Sequence, residues 1–246
     1  MIRSNLLSSM LPAAGTALVA TLVSFTPAAN AFTLNSVSGN WTGTVGGTGI
    51  VYQTVGDENQ VRWGSAATSS GKSGLGFTGV GLTDLSTGSV FQLGRLRHFN
   101  NPIWSGTAAS AASITLELDF QELGLQEFDF TFDIDETPNV AGTCAYFSTA
   151  PCADKIAWSN SISSSNAFTF DDKDYTLELV GFSDSPEGEV VNEFISQEGG
   201  TSEAYLFAKI AQVESEETTD VPEPAMVSAL SLVGASLLLA RRKRGQ

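Results

Sequence analysis

His98 is the only histidine in the chain, and Cys144 and Cys152 are the only cysteines. Histidine acts as a general base only with a nucleophile or an orienting carboxylate within hydrogen-bond reach. No G-x-S-x-G or H-E-x-x-H pattern supplies such a partner. His98 therefore reads as a structural imidazole, bonding either the Asn100-Asn101-Pro102 turn that follows it or the loop Glu136-Thr137-Pro138-Asn139. Two cysteines and one distant histidine make a poor zinc set, and a redox pair would be spaced C-x-x-C. In an exported chain the two cysteines are expected to form a local disulfide, a loop staple contributing about 2–3 kcal/mol. Two carboxylate groups, Asp133, Asp135 and Glu136, and then Asp171, Asp172 and Asp174, offer hard oxygens of the kind calcium takes. Neither has EF-hand spacing, and plain loop acidity accounts for both. Calcium is the one cofactor considered; no other is implied.

The elements that must position these side chains are strands. Ile114, Leu116, Leu118 and Phe120 alternate with polar residues, and Phe128, Phe130, Phe132 and Ile134 do the same. The connection Glu122–Glu127, with Gly124 inside, is short enough for an antiparallel hairpin, one face phenylalanine and the other carboxylate. Tyr175, Leu177 and Leu179 repeat the pattern, as do Phe91 with Leu93 and, less cleanly, Val51, Gln53 and Val55. The run around Leu206, Ala208 and Ile210 is apolar on both faces, which predicts a central strand. Leu93–Ile103 reads as a strand entering a turn, because asparagine bonds nearby backbone and proline fixes its own φ. No helical period persists between the two ends of the chain. The fold class expected is all-β, an antiparallel two-sheet sandwich or jelly-roll.

A middle of roughly 190 residues is enough for one domain with a full core. The span 32–222 carries seven basic and 26 acidic residues, and 23 of the acidic ones follow residue 115. Such a surface repels a phosphate backbone, so nucleic acid is excluded as a partner. Its plainest consequence is solubility.

Both ends carry addresses. Arg3, the apolar stretch Leu18–Phe25 and Ala29-Asn30-Ala31 form a signal peptide over 1–31, cleaved before Phe32. At the other end an acidic linker, 214–221, precedes Pro222-Glu223-Pro224, the apolar run Ala225–Ala240, and Arg241, Arg242, Lys243 and Arg244. The run is slightly short for a bilayer span, and snorkelling basic side chains extend it. Positive charge holds the last residues in the cytoplasm. The domain itself is then 32–213, with 222–246 as the sorting segment.

That tail resembles the PEP-CTERM sorting signal of Gram-negative bacteria. The resemblance implies cutting by an exosortase near Pro222-Glu223-Pro224, a transient stay in the inner membrane, and a final place at the cell surface or outside it, often beside exopolysaccharide. Further segments, in order, resemble the THxN and choice-of-anchor K domains of such proteins: Val61-Arg62-Trp63-Gly64, Ser73-Gly74-Leu75-Gly76-Phe77, Arg97-His98-Phe99-Asn100, Glu136-Thr137-Pro138-Asn139 and Cys152-Ala153-Asp154. The likeness spans Trp63 to Phe207. His98 and Asn100 match its name-giving motif, and Arg97 stands where the threonine belongs. No activity comes with that family.

Two function classes follow. One is a non-enzymatic structural, adhesive or binding component of the cell surface or matrix, with surface polysaccharide as its ligand. The other is a glycoside hydrolase, because Glu117-Leu118-Asp119-Phe120-Gln121-Glu122 resembles the E-x-D-x-x-E signature of laminarinase-like retaining glucanases. By that resemblance Glu117 is the nucleophile, Asp119 its partner and Glu122 the acid/base. Retention needs carboxyls about 5–5.5 Å apart. A regular strand points Glu122 away from Glu117, so a bulge must return it.

Overall fold

The computed structural model describes residues 31–140, 142–148, 151–159 and 163–213. The segment 1–30, the linker 214–221, Pro222-Glu223-Pro224, the apolar run and the basic tail lie outside the described residues. Among the described residues no helix is long and apolar enough to cross a membrane.

The alternating segments fold as strands. They are β1 (Ala31–Gly46), β2 (Val51–Val55), β3 (Glu58–Trp63), β4 (Ser73–Gly79), β5 (Thr83–Ser86), β6 (Val90–Asn100) and β7 (Ala109–Phe120). After these come β8 (Gly124–Asp135), β9 (Asp154–Trp158), β10 (Ser163–Phe170), β11 (Lys173–Ser183), β12 (Glu193–Ser196) and β13 (Gly200–Gln212). They pair antiparallel in two sheets, a six-stranded one in the order β12-β9-β8-β7-β1-β5 and a seven-stranded one in the order β10-β11-β13-β6-β4-β3-β2. The protein is an all-β, sandwich-like fold.

The β7–β8 hairpin forms in the expected register, Phe120 opposite Gly124 and Glu117 opposite Glu127. Its turn is tighter than the sequence suggests, and Gly124 takes the left-handed φ of 69° that the corner requires. Alternation puts Ile114, Leu116, Leu118, Phe128, Phe130 and Phe132 in the core. They meet Leu177, Leu179, Leu206 and Ala208 of the other sheet, and β13 is central, between β11 and β6. Val51 and Val55 depart from expectation: β2 is the outermost strand, and both side chains are exposed. The sheets join at one corner, where Val37 N donates to Val80 O at 2.9 Å. A Cβ at Gly79 would stand 1.9 Å from Val37 O, so only glycine fits there.

The two ends of the sandwich differ. Beside the β7–β8 turn, Phe32 packs against Phe120 (5.8 Å) and Tyr175 (5.7 Å), while Phe168 stacks on Tyr175. Phe32, the residue after the expected cleavage point, is thus a core residue. At the far end of β8, about 36 Å from the turn by strand rise, the interior turns polar.

Candidate functional site

The polar end is assembled from four separate stretches. β6 contributes Asn100 on its last residue, because Leu96, His98 and Asn100 share the inward face. The residues after β8 contribute Glu136 and Thr137, β9 begins with Asp154, and β12 ends with Ser196, two residues before Glu198. Asn100, Asp154 and Ser196 are all fully buried.

Asn100 ties the sheets together. Its Nδ2 donates to Ser196 O at 2.9 Å, and its backbone carbonyl accepts from Gly199 N at 2.8 Å. Ser196 lies opposite Asp154 in the β9–β12 register. Asp154 Oδ1 accepts from Thr137 N at 2.8 Å and from Thr137 Oγ1 at 3.2 Å. Thr137 Oγ1 is also 3.1 Å from Cys152 O, so the disulfide loop is pinned to this end. The Cys144–Cys152 disulfide is formed, as the sequence predicts.

What distinguishes this end is what stays unpartnered. Asn100 Oδ1, Asp154 Oδ2, Ser196 Oγ and Glu136 Oε2 are buried without a hydrogen bond, and the buried Glu198 carboxylate has only the backbone N–H of Gly199 facing it. Burial raises all three carboxylates. Glu136 reaches about 8, pushed further by the charges of Asp154 and Glu198. Glu198 reaches about 7 through burial and then the charge of Asp154. Asp154 rises to about 6, burial outweighing the two Thr137 hydrogen bonds that oppose it. The three therefore sense one another as a coupled group, and a proton or a cation at any one of them relieves the others. Among the described residues no group of three histidine, cysteine, aspartate or glutamate side chains is already arranged to hold a metal ion.

His98 lies one step inward from Asn100 on the same face and is fully buried. Both ring nitrogens lack partners, so the expected bonds to the Asn-Asn-Pro turn or to the Glu136–Asn139 loop do not form. The turn is held instead by Asn101 Nδ2, which donates to Ser70 O (3.0 Å) and Lys72 O (2.9 Å). Burial, and then the charge of Arg62, lower the His98 pKa to about 3. A neutral, unpartnered imidazole in the core is a structural group, and its environment does not make it a base.

Arg97 occupies the other face of β6. Its Nη2 pairs with Glu203 at 2.7 Å, and its Nε stands 3.1 Å from the buried Glu58. Arg62 lies 3.8 Å over the ring of Phe99 on that same outer face. Gly74 and Gly76 make the room: a Cβ at either would stand 2.6 Å from Arg62 Cδ or from the Glu58 carboxylate. Arginine at the motif's threonine position therefore leaves the inward pair His98 and Asn100 undisturbed.

The remaining candidates do not meet. Glu117 accepts from Ser38 Oγ (2.9 Å) and Asn40 Nδ2 (2.8 Å), and Asp119 from Asn35 Nδ2 (3.2 Å). Glu122, in the turn, accepts from Thr33 N at 3.1 Å. Glu117 and Glu122 are thus anchored five residues apart on β1, about 15 Å by strand rise, whereas a retaining pair needs about 5–5.5 Å. No bulge returns Glu122 to Glu117: β7 stays in unbroken register with β8 from Ala111 to Phe120. The first calcium group splits by strand parity, Asp133 and Asp135 pointing outward while Glu136 turns to the polar end. Asp171 and Asp172 are the two exposed turn residues between β10 and β11, at φ 48° and 57°, and Asp174 accepts from Thr169 Oγ1 at 2.7 Å. They form a turn and not a cage.

Sequence reasoning quoted Asp154 only as part of a resemblance, took Thr137 and Asn139 as part of a loop that His98 could bond, and passed over Ser196 and Glu198. Only Gly199-Gly200, marking a turn after Glu198, hints at its position. The segments that carry the resemblance do meet in space: Asn100, the Glu136–Asn139 loop and Asp154 form the polar end, and Ser73 Oγ donates to Phe99 O beside it at 2.8 Å. No protein-family model matches the chain, and no curated protein matches it.

One concave surface lies elsewhere. An open groove of about 820 Å3 runs over the outer faces of β7 and β8, lined by Thr42, Thr115, Asp129, Thr131, Ser159 and Ser164 among others. Its floor is cross-linked, Ser113 Oγ to Thr131 Oγ1 at 2.9 Å and Thr115 Oγ1 to Asp129 Oδ1 at 2.6 Å. Asp129 is the one carboxylate among its described lining residues.

Proposed function

We propose that this is an exported, non-enzymatic binding or structural component of the cell surface or extracellular matrix, with polysaccharide as the ligand class of its groove. The signal peptide and the Pro-Glu-Pro, apolar and basic tail supply export and exosortase sorting. The observation that carries the binding reading is the groove itself: hydroxyls and one carboxylate on a rigid sheet match the hydrogen-bonding pattern of a sugar chain. A hydrolase needs two carboxyls across a scissile bond, and the described lining of this groove presents one. Affinity electrophoresis of the mature protein in gels containing the producing cells' own exopolysaccharide tests the reading. Retardation that Thr115→Val with Asp129→Asn abolishes supports it. Unchanged mobility sinks it, and release of reducing ends from the polysaccharide turns it to the enzyme.

A further inference from the structure

We propose that the polar end of the sandwich is a calcium site in which Asn100, Asp154, Glu198 and Glu136 supply the ligands. The inference is independent of what the groove binds. Every unpartnered atom contributed by these residues and by Ser196 is an oxygen. An all-oxygen set of carboxylates with an amide and a hydroxyl is what calcium takes, in flexible geometry, while softer metals select nitrogen and sulfur.

Asn100 is the decisive residue because it is not acidic. It is fully buried, and its orientation is fixed by the bonds of its Nδ2 and its backbone carbonyl, which leaves Oδ1 with no donor. Its amide also lies beside Asp154, whose charge it helps to stabilise. A buried amide oxygen with no partner is costly in a ligand-free interior, and a cation satisfies it together with Asp154 Oδ2.

Charge points the same way. Among the described residues none of the three carboxylates has an ion-pair partner, and the paired basic residues are taken elsewhere: Arg95 and Arg97 on the outer face, Lys155 by Glu193 and Lys209 by Glu178. Three mutually repelling carboxylates without a counter-charge are a place for a divalent ion. Asp154, Asn100 and Ser196 make the fully buried floor, and the half-buried Glu136 and Glu198 make the mouth through which an ion enters. No formed three-carboxylate cage exists beforehand, so binding draws Glu136 and Glu198 inward and locks the turn before β13 against the end of β6.

Calorimetric titration of calcium chloride into the chelator-treated mature protein tests this, with thermal unfolding in parallel. The expected result is one calcium per chain and a raised melting temperature at millimolar calcium. Glu198→Gln and Asp154→Asn should each weaken affinity about tenfold or more, and Asp171→Asn should leave it unchanged. Glu198→Gln changes a half-buried turn residue, and its unaltered circular dichroism would show that loss of binding is not loss of fold. Absence of both heat and melting shift overturns the proposal. So does affinity that survives Glu198→Gln and Asp154→Asn, or that Asp171→Asn removes.

Discussion

The aromatic end and the polar end are built from the same strands and do opposite things. Around Phe32, Phe120, Phe168 and Tyr175 each ring is matched by another at 5.7–5.9 Å inside the core. Around Asn100 and Asp154 the chain buries groups that water or an ion would serve better. A core selected only for stability has no use for three repelling carboxylates, since apolar residues of similar volume would be as stable or more so. The contrast separates what folds the domain from what the domain holds.

Substitutions at the two ends should differ in size and in kind. The largest effect is expected from Phe120→Ala, which leaves a cavity beside the rings of Phe32 and Phe168 and should cost about 3–5 kcal/mol in denaturant unfolding, with calcium affinity intact. The next is expected from pH in calcium-free buffer. Glu136 and Glu198 have folded pKa values above their ordinary range, so the folded state holds protons more tightly than the unfolded chain and loses stability as pH rises through about 7 to about 8. His98 acts in the opposite direction and at lower pH: its folded value is depressed to about 3, so stability is lost as pH falls below the ordinary imidazole value. Above that value the carboxylate slope stands alone. Melting temperature against pH should therefore fall from the ordinary imidazole value up to about pH 8 without calcium, level off above it, and be flatter throughout with calcium.

Asn100→Ala comes third. It removes the bond to Ser196 O that joins the sheets and should cost about 1–3 kcal/mol, while abolishing the calcium-dependent rise in melting temperature. Arg97→Thr breaks the pairs with Glu203 and Glu58 on the outer face. It should cost about 1 kcal/mol and leave calcium affinity as it is. If calcium affinity moved with Arg97 and not with Asn100, the division between the faces of β6 would be wrong. The smallest effect is expected at Asp129→Asn in the groove, within about 0.5 kcal/mol, with any change confined to polysaccharide retardation.

The legible part of the fold was the part governed by a period of two. Ile114 to Phe120 and Phe128 to Ile134 could be assigned to one face each, and the central place of β13 followed from its apolar residues on both sides. Val51 and Val55 misled because an outermost strand shows the same alternation without burying it. The polar end was illegible for a different reason. Its four contributors are spread from Asn100 to Glu198, and only the pairing of β9 with β12 and of β6 with β13 brings them together. Parity also hid Glu136, which stands beside Asp135 in sequence and faces the other way in space. The Glu117, Asp119 and Glu122 spacing suggested an active site because linear signatures say nothing of anchoring, and Ser38 and Thr33 hold the two glutamates apart.

The most direct test of the account is a crystal structure of the mature protein grown in calcium. The account predicts an ion at the polar end with Asn100 Oδ1, Asp154 Oδ2 and Glu198 at about 2.3–2.6 Å, and Glu136 drawn toward it. Carboxylates sharing protons around an ion-free, waterless pocket would contradict it.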